Sequence, residues 1–169
     1  MEKTLIIANV NFLMDEGDNK VWLAKKTRKI GIGLFNGYGG KVDHCDKNLI
    51  ASSKREIRQE CGVRTSVKNF EKVAIVDFYD NKIDRSVIII RVHAYLVRNW
   101  KGIPRETEEM AEPKLFNKNR LPLKKMMEAD KEWVPLIMQG KKLIATYYYD
   151  PWYKLIKKGP LKIVDSLPN

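Results

Sequence analysis

Cysteine and histidine are scarce in this 169-residue chain, with two of each, and neither is placed for a structural metal. Cys45 and Cys61 form no C-x-x-C pair, and His44 and His93 add too little to complete a tetrahedral zinc site. Two thiols without a framework suit a reducing compartment. A Cys–His nucleophile at His44 and Cys45 is set aside, because adjacent side chains rarely face each other and no third group orients them. Long apolar runs are missing too: residues 86–90 fall far short of the roughly 20 a spanning helix needs. The opening MEKTLIIANV has a short apolar run ahead of polar Asn9 and Asn11 and no small-residue cleavage site, so no signal peptide is read. A soluble, cytoplasmic protein without membrane attachment is expected, and nothing calls for an obligate protein partner. Repeats, low-complexity stretches and linkers are also absent. With 44% apolar residues, residues 1–169 suit one domain with its own core.

Acidic side chains are outnumbered, 21 against 32, leaving a net charge of +11. Such a field concentrates anions, whether nucleotides or RNA. The plainer reading is a lysine-rich solvated surface, since the basic residues are scattered. Only residues 154–162, KLIKKGPLK, are dense enough to suggest contact with a phosphate backbone.

What the chain does have is an acidic cluster directly behind a glycine-rich loop, in residues 39–63, GGKVDHCDKNLIASSKREIRQECGV. If residues 48–61 are helical, Glu56 and Glu60 stand at i,i+4 on one face with Gln59 beside them. Two carboxylates this close repel unless a cation sits between them. A hard divalent ion with oxygen ligands fits best, Mg2+ first and Mn2+ as an alternative, with waters and substrate phosphates completing its shell. The other reading is an exposed helix face paired with lysine or arginine.

These residues resemble the Nudix box, G-x5-E-x7-R-E-U-x-E-E-x-G-U with U aliphatic. Arg55, Glu56, Ile57, Glu60, Gly62 and Val63 fall on the pattern, and residues 39–42 match its usual opening. There are two departures. One extra residue after Val42 puts Lys47 at the upstream glutamate position, with Asp46 the nearest acid, and Gln59 replaces the first glutamate of the E-E pair. An amide offers a carbonyl oxygen but cannot take a proton from water. Residues 26–28, 31–40, 108–110 and 133–136 are similar to the MutT-homologue 8-oxo-dGTP diphosphatase branch.

That resemblance implies a Nudix fold, a mixed sheet sandwiched between helices in the α/β (α+β) class. It also implies Mg2+-dependent conversion of oxidised purine nucleoside triphosphates to the monophosphate and pyrophosphate. It assigns metal binding to Glu56, Glu60, Gly40 and Glu109, with Arg55 bracing the glutamates and Gln59 or Glu109 in the catalytic set. Phosphates fall to Lys26, Gly39 and Lys41, and the base to Thr4, Asn36, Met127 and Asp130. Met127 stands where the branch has tryptophan, and Ala129 where it has an aspartate. Core packing is the alternative for Met126 and Met127. Rival readings are an RNA 5′-end or dinucleoside-polyphosphate hydrolase, and a catalytically weak nucleotide- or RNA-binding domain.

Along the chain, residues 4–13 and 20–26 read as a hairpin. Residues 31–40 are too glycine-rich for regular structure. The box helix should bury Ile50, Ile57 and Cys61 and stop at Gly62. Residues 72–79 and 85–97 flank a turn at Asp80, Asn81 and Lys82, and the run VIIIRV suits a central strand covered on both sides by helices. Residues 100–105 should be loop, 114–117 a short strand, 123–127 and 131–139 helical, and 141–149 and 161–164 closing strands. Trp22, Trp100, Trp133, Trp152 and residues 147–149 suggest either core packing or stacking of RNA bases. Alternation turns Tyr148 away from its neighbours.

Overall fold

Aliphatic alternation in the first fifteen residues builds the centre of the molecule. The computed structural model describes residues 2–81, 86–150 and 154–169. In it, strand β1 (Lys3–Asp15) pairs in parallel with β6 (Val87–Arg98) over its length. Its end turns into β2 (Lys20–Lys26), the expected hairpin. From β6 the sheet runs on through antiparallel β5 (Phe70–Asn81), then β8 (Lys142–Tyr149), parallel to β5, then β9 (Leu155–Val164), antiparallel to β8. On the other side of β1, β3 (Phe35–Asn36) and β7 (Met110–Asn117) pair with β2, and β4 (Tyr38–Lys41) pairs with β1. Lys82, Arg85 and Trp152 lie outside the described residues.

Two helices take opposite faces of this mixed sheet, as the period of two along β1 requires. Val10, Phe12 and Met14 face α2 (Asp130–Met138), which seats Trp133, Val134 and Ile137 in the larger core. Leu13 faces α1 (Leu49–Cys61), which contributes fully buried Ile57 and Cys61. Ile50 is only partly buried at the edge of that cluster. Helix α1 starts where the Asn48 side chain accepts the Ala51 N–H at 2.9 Å. It stops at Gly62, whose φ of 78° is left-handed and whose N–H reaches the Arg58 carbonyl.

Six expectations need correction. Asp80 and Asn81, read as a turn, continue β5 against Ile88 and Val87, and the short strand read at 114–117 begins at Met110. The second half of the glycine-rich segment is strand: Gly39 and Gly40 pair with Val10 and Asn9. Glycine is needed there because a Cβ at Gly39 would fall 2.1 Å from the Asn9 carbonyl oxygen. Only residues Leu123–Lys125 of the 123–127 segment are helical, in one 3-10 turn, after which Met126 is extended and its side chain enters the core. The closing strand is longer than 161–164, because its lysines stand on an edge strand where charge is tolerated. The VIIIRV run is central but not covered by helices on both sides: Ile88, Ile89 and Ile90 are half-buried, with Ile90 and Val92 flooring a cleft. Trp133, Tyr147 and Tyr149 are core, and Trp22 and Trp100 pack at its margin.

Candidate active site

Helix α1 presents Glu56 and Glu60 one turn apart toward β4, and the loop before β7 brings Glu109 to meet them. Carboxylate oxygens of the three lie within 4.8 Å of one another. Gly40 makes the fit possible, since a Cβ there would lie 2.7 Å from Glu56 Oε1. Arg55 braces the cluster: its Nη1 donates to Glu56 at 2.8 Å, while Nε and Nη2 grip Asp46 at 2.9 and 2.7 Å. That bidentate pair holds the Asp46 carboxyl well below the usual carboxylate range. Asp46 thus serves as the anchor for Arg55 despite the extra loop residue, while Lys47 is exposed.

Burial sets the electrostatics of the glutamates. It pushes Glu60 up to about 8, with the Glu56 charge adding to the effect and Lys26 opposing it. Burial also raises Glu56, against the lowering pull of Arg55. The Glu60 carboxylate faces the Gly39 N–H at 3.4 Å. Glu109 is held by Arg28 Nη2, and its loop is tied down by Thr107 Oγ1 donating to the Glu60 carbonyl at 2.8 Å and by the Thr27 hydroxyl donating to the Glu108 carbonyl. Arg28 carries no assigned role in the sequence. Its signal, an arginine two residues past Lys26, becomes legible only once the 109 loop folds against the end of β2.

A cleft of about 530 Å³ opens from these carboxylates. Lys26, Gly39, Gly40, Lys41 and Gln59 line it near the glutamates, and Asn36, Met127 and Asp130 line it beside Phe78, Ile90, Val92 and Trp133. Lys26 lowers both Glu60 and Asp130, so its charge reaches both ends. Asp130 accepts from Trp133 Nε1 at 3.0 Å, and burial pushes its carboxyl up to about 6. Asn36 Oδ1 accepts the Gly37 N–H at 2.8 Å. Gln59 is exposed and accepts from Arg55 at 3.2 Å. Thr4 is not brought to the cleft; it sits exposed at the outer start of β1, on the face shared by Ala8 and Val10.

His44 and Cys45 do face each other, contrary to the expectation for adjacent residues. Cys45 Sγ lies 3.3 Å from His44 Nε2, and His44 Nδ1 lies 2.7 Å from Asp43, which supplies the third group. The trio stands in solvent, with the His44 side chain 91% exposed, so its contacts carry little energy.

The sequence matches the NUDIX domain family over residues 6–137. It is 32% identical over 147 residues to a mouse (Mus musculus) protein named oxidized purine nucleoside triphosphate hydrolase, covering 87% of this chain and 89% of that one. A zebrafish (Danio rerio) protein of the same name is 28% identical over 148 residues, covering 88% and 90%. The fold is similar to the crystal structure of a MutT protein from Bacillus halodurans, with a TM-score of 0.76 at 19% identity and coverage of 96% and 99%. With the box residues gathered around one carboxylate cluster, the chain belongs to the NUDIX family and is a Nudix hydrolase.

Proposed function

We propose that this hydrolase converts purine nucleoside triphosphates, oxidised ones such as 8-oxo-dGTP among them, to the monophosphate and pyrophosphate with Mg2+. The supporting observation is the convergence of Glu56, Glu60 and Glu109 at one end of a cleft whose other end combines apolar walls with Asn36 and Asp130. The names of the mouse and zebrafish relatives point to the same substrate class. The residues fit a hard divalent ion: the donors are all oxygen, and the carboxylate oxygens of Glu56, Glu60 and Glu109 lie within 4.8 Å of one another. Glu56, Glu60 and the Gly40 carbonyl would hold it. When bound, such an ion neutralises phosphate oxygens and lowers the pKa of a coordinated water.

The chain's own groups do the rest. Lys26, Lys41 and the Gly39 backbone draw the polyphosphate toward the carboxylates. Arg55 is committed to Asp46 and Glu56, so it positions the glutamate and does not touch substrate. Glu109, only part-buried, accepts the proton of the attacking water; the Gln59 amide cannot. Asn36, with its oxygen engaged by Gly37, keeps amide N–H groups for a purine edge, Asp130 supplies a carboxyl, and Met127 covers the ring face. Because Gln59 lies on the rim and the three carboxylates gather without it, the active reading is favoured over a weakened binding domain.

The test is Mg2+-dependent pyrophosphate release from 8-oxo-dGTP, 2-hydroxy-dATP, dGTP and dATP, alongside a dinucleoside polyphosphate and 5′-triphosphorylated RNA. Preference for an oxidised purine supports the proposal. Turnover of only the last two substrates, or of none, refutes it. A large gain in Gln59→Glu would mark the glutamine as an impairment, and no gain supports Glu109 as base.

A further inference from the structure

Helix α1 covers one end of its side of the sheet; beyond it Ile75 and His93 are buried and Lys72 donates to the Pro168 carbonyl of the C-terminal segment at 2.8 Å, and the far end of the face is left partly exposed. The helix covers Leu13, Tyr95 and Val97, but the same face continues through Ile89 and Arg91 on β6, Asp77 and Tyr79 on β5, and Ile144 and Tyr148 on β8. The alternation that buries Tyr147 and Tyr149 turns Tyr148 outward. There it pairs with Tyr79 on the neighbouring strand, ring centres 5.0 Å apart and planes at 33°. Lys157 Nζ stands 5.7 Å from the Tyr148 ring centre. Gly159 keeps that ring's space clear, since a Cβ there would come within 3.2 Å of it. Ile144, 39% exposed, lies opposite Lys162.

Charge on this face is one-sided. Lys142, Lys157, Lys162 and Arg91 share it, and the single carboxylate that the described residues of β5, β6, β8 and β9 place there is Asp77. Arg91 engages Asp77 through two hydrogen bonds of 2.9 Å. An open sheet carrying paired aromatic rings, aliphatic patches and lysines suits a single-stranded nucleic acid, whose bases stack on rings while lysines follow the phosphates. A duplex offers its base faces to neither. We propose that this face binds single-stranded RNA, with Tyr148 and Tyr79 as the stacking platform and Lys142, Lys157 and Lys162 along the backbone path. The Thr146 hydroxyl, between Ile144 and Tyr148 on the same face, offers the ribose 2′-hydroxyl a partner and favours RNA over DNA. The proposal does not depend on which nucleotide the cleft hydrolyses.

Fluorescence anisotropy with a labelled short oligouridylate tests it, beside the matching oligo-dT, an RNA duplex and polyglutamate. Tyr148→Ala should weaken RNA binding about tenfold, and Tyr148→Phe should retain it. The double charge reversal Lys157→Glu with Lys162→Glu should weaken it further and flatten the salt dependence by about 0.7 in log–log slope for each phosphate no longer neutralised. All three should keep wild-type kcat/KM for nucleotide and wild-type melting. Equal binding of oligo-dT overturns the assignment to RNA. Equal binding of duplex or polyglutamate, or RNA binding untouched by Tyr148→Ala and the charge reversal, overturns the site.

Discussion

Burial raises the Glu60 carboxyl to about 8, so a nearby cation that favours its charged form acts directly on this side chain. Glu60→Gln should abolish Mg2+ binding in calorimetry and lower kcat/KM by about 10²–10⁴-fold, while melting at neutral pH is no lower than wild type, since the amide also removes the cost of ionising a buried carboxyl. Asp130 carries a different signature. Its carboxyl is raised from 3.8 to about 6 by burial, so between those values the unfolded chain releases a proton that the folded chain keeps. Stability therefore falls as pH rises through that window, and the full penalty is present above pH 6. Asp130→Asn keeps an oxygen for Trp133 and removes the penalty. Urea titrations should find the variant more stable by on the order of 2 kcal/mol at pH 7.5 and equal to wild type at pH 3.5. That Glu56, Glu60, Asn36 and Asp130 line one cleft could be anticipated from the sequence because they fall on motif positions. The roles of Arg28 and Asp46 could not, since each is defined by a partner that only the folded loops bring near.

The working element is the strand, loop and helix running from β4 to α1. Its helix boundaries could be read from Asn48 and Gly62, and its shared face from the spacing of two glutamates. Strands β3 and β4 could not, because glycine reads as a breaker until β1 is seen pressing against it. Strand β9 was hidden by its lysines, which obscure the alternation of an edge strand. Arg55 joins loop to helix by holding Asp46 and Glu56 at once. Lysine cannot make that fork, so Arg55→Lys should cost about 10–100-fold in metal affinity by calorimetry, with the helix intact by circular dichroism. Asp46→Ala should give the same loss through the opposite partner. A larger effect of either on melting than on metal binding would recast the clamp as scaffolding.

Across the whole molecule, two cores on opposite faces share β1 as their common wall. We expect one cooperative unit: far-ultraviolet dichroism and tryptophan fluorescence should trace a single urea transition, and separate midpoints would show that the faces unfold independently. Class and architecture followed from the pattern of strands and helices, but the unequal helical cover of the two faces did not, because periodicity says which residues share a face and not what lies over it. The in-register pairing of β1 with β6 from Lys3 and Val87 onward also governs how the protein is made. A ribosome releases the middle strand first and its long neighbour only after roughly half the chain has followed. Through that interval β1 can pair with β2 and β4 but its β6-facing edge waits open, so overproduction should yield inclusion bodies that slower translation or added chaperone relieves.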